Sequence, residues 1–102
     1  MKIKKIKIIS SIYDVKYVKK LVGERNNKLL GHIDWDLKLI EINNSKYPIH
    51  TQLKTMMHEI VHGINKENNF FMPEKKVELL SNGIFALMLD NKEFIREILK
   101  LK

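Results

Sequence analysis

The sequence predicts an α+β fold in one domain: a small antiparallel sheet packed on a long helix, followed by two further helices. Three observations carry that expectation. Up to about residue 45, short segments rich in Ile, Val, Leu and Tyr sit between polar breaks, as strands do. From about residue 49 onward, apolar residues recur at helical spacing. The chain has 102 residues and a mass of 12.1 kDa, enough for one modest core and no separate module, so 1–102 is a single domain.

The strand segments are KIKIIS at 5–10, IYDVKYV at 12–18, KLLGHI at 28–33 and LKLIEI at 37–42. ERNNK at 24–28 and DWD at 34–36 have the composition of turns, and NNSKYP at 43–48 leaves the sheet. In the next segment Leu53, Met56, Met57, Ile60, Val61 and Ile64 follow the i, i+3, i+4, i+7, i+8, i+11 series of an amphipathic helix. At about 100° of rotation per residue this stripe lies opposite His58, Glu59 and His62. The helix therefore has a core face and a polar face.

NKENNF at 65–70 breaks the pattern, and Pro73 followed by Glu74 then suits a helix N-terminus. A second helix over about 73–89 carries Val77, Leu80, Ile84 and Leu87 on one face. Asp90 to Glu93 fits a D-x-x-E capping box, which starts a third helix with Phe94, Ile95, Ile98 and Leu99 inward. Gly63 and Gly83 are small enough to let the first two helices approach closely, unless Gly63 is a local irregularity.

Bulk composition excludes several kinds of function. Without cysteine there is no disulfide, thiolate ligand or cysteine nucleophile, so any metal must be held by His, Asp or Glu. The basic start is interrupted by Lys4, Lys5 and Lys7, which breaks the apolar run a signal peptide needs, and no segment is apolar over the length of a membrane span. A cytoplasmic protein is expected. The net charge of +7 permits contact with nucleic acid or acidic partners. Its lysines, scattered among Ile and Leu without an arginine cluster, equally describe solvated strand faces.

His58-Glu59-Ile60-Val61-His62 is an H-E-x-x-H pattern on the firmest helix of the chain. Two histidines four apart point the same way and can bind one ion, while the intervening glutamate can approach a water as general base. A polar helix face holding these residues by chance is the plainer alternative, expected in well under about one sequence in a hundred of this length. A catalytic zinc takes three protein ligands, and Glu74 and Glu78, four apart on the second helix, are the candidates for the third. Asn82 continues their line. Either glutamate would also be favoured near a helix N-terminus with no ion present.

GHIDWDLKLIEI, TQLKTMMHEIVHGI and EKKVELLSNGIFALMLDN together resemble the small HExxH metallopeptidase-like proteins often encoded by phages and mobile elements, related to the ImmA/IrrE-type zincins. The resemblance covers residues 31–91. It implies a minimal zincin-like fold, one zinc ion and peptide-bond hydrolysis of a protein substrate such as a mobile-element repressor. It also implies Glu59 as the catalytic residue, His58, His62 and Glu74 as metal ligands, and Glu78 as a group supporting a ligand histidine. A shift of one helical turn would make Glu78 the ligand instead. No motif assigns oxyanion stabilisation to Tyr47 or His50. His32 and His50 lack a partner at helical spacing and are expected at the surface, Met56 and Met57 in the core, and Trp35 at a hairpin tip or packed as an anchor. A non-catalytic alternative keeps the metal as a structural element and gives the basic surface to nucleic acid or a partner protein.

Overall fold

A computed structural model describes residues 2–19 and 30–101, so the expected turn at 24–28 lies outside the described residues. The fold is α+β, with four strands, β1 (Lys5–Ile8), β2 (Ser11–Val18), β3 (Gly31–Asp34) and β4 (Leu39–Asn43), ahead of three helices, α1 (Ile49–Asn68), α2 (Glu74–Asp90) and α3 (Lys92–Leu99). The strands form one sheet in the order β1-β2-β4-β3.

Two of the three strand pairs are antiparallel, β1 with β2 and β3 with β4. The third, β2 with β4, is parallel, from Asp14 opposite Leu39 to Val18 opposite Asn43. The sheet is therefore mixed rather than wholly antiparallel. The β3–β4 hairpin docks by its second strand because that strand is the more apolar. Ile40 and Ile42 of β4 are fully buried at the sheet centre, whereas β3 carries Gly31, His32 and Asp34 to the edge. The hairpin turns where expected, with the Asp34 carboxylate accepting the backbone N–H groups of Asp36 and Leu37 at 3.0 and 2.9 Å.

Period-two alternation decides the inner face. Tyr13 and Val15 of β2 point inward while Ile12 and Asp14 point out, and Ile8, Ile33, Ile40 and Ile42 complete the layer. Met56 of α1 closes this core, with Ile60 and Ile64 packed against its margin. Gly63 permits the close seating of α1, since a Cβ there would lie 2.6 Å from Ile8 Cδ1 and 3.3 Å from Ile33 Cδ1. The closeness it provides is to the sheet, not to α2. Gly83 has nothing within 4 Å of a would-be Cβ, so neither glycine serves the contact between helices.

The helical hydrogen bonding of α1 continues one turn past its last apolar residue, Ile64, and stops at Asn69, which adopts a left-handed conformation (φ 54°). Phe70 N–H then reaches back to the Asn65 carbonyl at 3.1 Å, closing the helix end. The Asn65 side chain holds both backbone groups of Met72, accepting its N–H at 3.0 Å and donating to its carbonyl at 3.1 Å. This clasp fixes where the chain turns into α2.

The far end of the molecule departs from the amphipathic expectation. Of the predicted α2 face only Val77 is buried; Ile84 is half-buried, and Leu80 and Leu87 are exposed. In α3 Ile95 is half-buried, but Phe94 is 58 % exposed, Leu99 76 %, and Ile98 is exposed as well. The reason is geometric: among the described residues α3 packs on α2 alone, beyond the reach of α1 and the sheet. The capping box does not form, because Asn91 occupies the cap position without a side-chain cap and donates to the Leu87 carbonyl at 2.9 Å.

Candidate metal centre

The polar face of α1 and the first turn of α2 meet across the short connection at 69–73. His58 and His62, one turn apart and both half-buried, bring their Nε2 atoms to 3.1 Å. Glu74, the first residue of α2, spans both, with Oε1 2.8 Å from His58 Nε2 and Oε2 2.8 Å from His62 Nε2. Among the described residues this is the one cluster of His, Asp and Glu groups compact enough to hold an ion. Glu74 arrives there because Pro73, extended at ψ 161°, starts α2 directly after the Asn65 clasp on Met72.

The donor set fits zinc in kind and in dimension. Two imidazoles and a carboxylate are borderline ligands of the type zinc takes, and bonds of about 2.0–2.1 Å in a tetrahedron place donor atoms about 3.3 Å apart. The imidazole nitrogens stand 3.1 Å apart, each has one of the two Glu74 oxygens at 2.8 Å, and one ligand atom from each residue falls within 4.8 Å of the others, close enough for a single ion. The three side chains border a cleft of about 920 Å³, whose walls include Leu30, His32, Trp35, Lys54 and Asn82.

Glu59 lies beside the trio but is not wet, as the helical wheel alone would suggest. It is 6 % exposed, covered by the edge strand. A Cβ at Gly31 would stand 3.2 Å from Glu59 Oε2 and 2.6 Å from Thr55 Cγ2, so β3 can rest on this carboxyl only because residue 31 has no side chain. Burial, and secondarily the charge of Glu74, pushes the Glu59 carboxyl up to about 7. Burial also holds His62 below its usual value, with Glu74 pulling upward and His58 adding to the depression.

The structure brings Glu74, and not Glu78, into the trio. Glu78 remains exposed on the cleft wall beside Asn82. The residue of α2 that approaches the other ring nitrogen of His58 is Ser81, whose Oγ lies 3.4 Å from His58 Nδ1. His32 and His50 are exposed and outside the trio, as expected; the His50 ring stands edge-on to Phe85 with centroids 5.3 Å apart. Of Tyr47 and His50, only His50 lines the cleft. Trp35 sits in the β3–β4 turn with Lys66 Nζ 5.4 Å from its ring centroid.

Ser81, Asn65 and Gly31 are the site residues that sequence reasoning missed. Ser81 was within reach, because it stands seven residues after Glu74 and therefore on the same line of the helix. Asn65 and Gly31 carry no signal of their own, since their roles exist only once the loop and the edge strand are in place.

Compared with known proteins, the chain matches no family model, no curated protein and no solved structure. The functional reading thus stands on these residues and their geometry. Among the described residues no helix is long and apolar enough to cross a membrane.

Proposed function

We propose that the protein is a zinc-dependent peptidase acting on a protein or peptide substrate. The observation that carries this reading is the meeting of His58, His62 and Glu74 at one point beside the buried carboxyl of Glu59. Mn, Fe or Co also accept two imidazoles and a carboxylate, with zinc the default for this donor set. An ion held there supplies Lewis acidity, lowering the pKa of water and polarising a carbonyl. Everything else falls to the chain. Glu59, poised by burial at a pKa of about 7, would in its carboxylate form take a proton from the attacking water and then deliver it to the leaving amine. Among the described residues β3 is an edge strand whose residues line the cleft, a position from which its backbone would receive an extended peptide by strand addition. The resemblance adds that the substrate is a protein such as a repressor of a mobile element.

The competing reading makes the metal structural and assigns the basic surface to nucleic acid or a partner. Structural zinc sites are closed by four protein ligands. Among the described residues three donors face an open cleft, which favours the catalytic reading. Elemental analysis of purified protein tests the centre: we expect about one equivalent of zinc in the wild type and its loss in His58→Ala. Glu59→Gln then separates the readings, keeping the metal while ending cleavage of an unstructured peptide pool followed by mass spectrometry. A wild-type protein that takes up no zinc refutes both; a zinc-loaded one as inert as Glu59→Gln refutes the peptidase.

A further inference from the structure

We propose that the chain pairs with a second copy of itself, the two molecules packing parallel and in register along the outer stripe of α2 and α3. The pairing is independent of the metal centre. Its surface is written in the sequence as a seven-residue repeat: Leu80, Leu87, Phe94 and Leu101 are spaced by seven, and Ile84, Asn91 and Ile98 each stand four residues after one of them. Alternating spacings of four and three make the seam of a two-stranded helical pair, and β-branched residues at one seam position with Leu at the other favour two strands. Ile84 and Ile98 hold the first position, and Leu80, Leu87 and Leu101 hold the second. Val77 begins the same repeat but is buried where α2 packs on α1. Beyond it the stripe is open, with Leu80, Leu87, Phe94, Ile98 and Leu101 between 44 and 74 % exposed.

Charge, area and helix length select a second copy as the occupant. Residues 80–101 carry Lys92, Arg96 and Lys100 against Asp90, Glu93 and Glu97, so this stretch has no net charge and the whole +7 lies elsewhere in the chain. Two copies therefore approach here without repulsion, whereas an anionic membrane or a nucleic acid finds no basic face to hold. The five exposed side chains offer on the order of 450 Å² of apolar surface, the apolar share of the ~800 Å² that each partner of a stable pair buries. α3 has eight residues, fewer than the about 12–15 a helix needs to stand alone in water, and among the described residues it packs on α2 alone. A second copy supplies the missing surface. Asn91 sets the arrangement: it is the single polar residue of the repeat and the one residue between α2 and α3, with non-helical torsions (φ −130°, ψ 56°). In a parallel pair it meets its own copy, as a lone seam asparagine does when it specifies register and strand number at a cost in stability. Packing along both helices draws them onto one surface across this break.

Analytical ultracentrifugation of the full chain, from micromolar to near-millimolar concentration, reads the pairing. We expect a reversible rise from 12.1 kDa to twice that mass. Leu87→Glu places two charges in each seam and should weaken association about 100-fold or more. Leu89→Glu alters a leucine as exposed as Leu87 but outside the repeat, and should change association by less than about threefold. Phe94→Glu repeats the test in a helix that touches neither α1 nor the sheet, and decides it if Leu87→Glu does not fold. Asn91→Val should replace the single dimer with a mixture of assemblies. In dissociated chains the stripe stabilises nothing, so its contribution is read from association and not from the unfolding of dilute protein. A wild type that stays monomeric throughout overturns the proposal, including one that pellets with phosphatidylserine vesicles instead. So does a dimer that survives Leu87→Glu and Phe94→Glu, one that Leu89→Glu disrupts equally, or a single dimer unchanged by Asn91→Val.

Discussion

The two ends of this molecule are built from similarly apolar sequence and use it differently. Around the sheet and α1, Ile8, Tyr13, Val15, Ile33, Ile40, Ile42 and Met56 close into one core. Along the distal part of α2 and through α3, Leu80, Leu87, Phe94, Ile98 and Leu99 face solvent. The difference teaches that an amphipathic pattern selects the face a helix would bury but does not supply a surface to bury it against. It also separates two tasks within α2. Its first half is anchored at Val77 and delivers Glu74 and Ser81 to the centre, whereas its second half carries α3 outward.

The largest expected effect sharpens that contrast. Ile40→Ala removes a fully buried side chain at the sheet centre and should cost about 2–5 kcal/mol in chemical denaturation, whereas Ile98→Ala in α3 should cost under about 0.5 kcal/mol. Equal losses would mean that α3 is buried in solution.

The next effect probes burial on the α1 side through pH. In chelator-treated protein, the folded-state pKa of Glu59 lies above its ordinary 4.5, at about 7, so the native form holds the proton more tightly than the unfolded chain does. That contribution is complete below about pH 4.5 and is lost as pH rises through about 7. Its size is on the order of 3 kcal/mol. Comparing unfolding midpoints of wild type and Glu59→Gln across this window isolates it, since the amide does not titrate; parallel curves would show that β3 does not cover the carboxyl.

The smallest pair compares two helical glycines. Gly63→Ala drives a methyl into Ile8 and should cost about 1–3 kcal/mol, while Gly83→Ala meets open space and should stabilise by about 0.5–1 kcal/mol through helix propensity. Thermal melts of the two variants should move in opposite directions, and a shared direction would erase the distinction between the two ends.

Much of this was legible in the sequence, and the boundary has physical causes. Helical periodicity located α1 and its two faces, and the four-residue spacing of His58 and His62 placed them together. Pro73 and Glu74 marked the start of α2, whose acidic first turn reaches the centre. Alternation along β2 and β4 encoded which side chains face inward, but faces say nothing about neighbours, so the parallel β2–β4 pair could not be read. The capping pattern at Asp90 to Glu93 and the apolar stripe of α3 were local signals that tertiary context overrode. Glu59 looked solvent-facing because a helical wheel contains no edge strand, and the clasp of Asn65 on Met72 depends on a loop conformation that composition does not specify.

That clasp has a further consequence. It ties the last full turn of α1 to the residue two places before Glu74, so all three donors belong to one helical hairpin whose connection is short. Bringing neighbours in the chain together costs little loop entropy, while the β2–β4 pairing must gather strands from more distant stretches. If the proposed cation site is real, it is assembled by a local piece of chain, and zinc present during refolding of chelator-treated protein should speed recovery relative to zinc-free refolding.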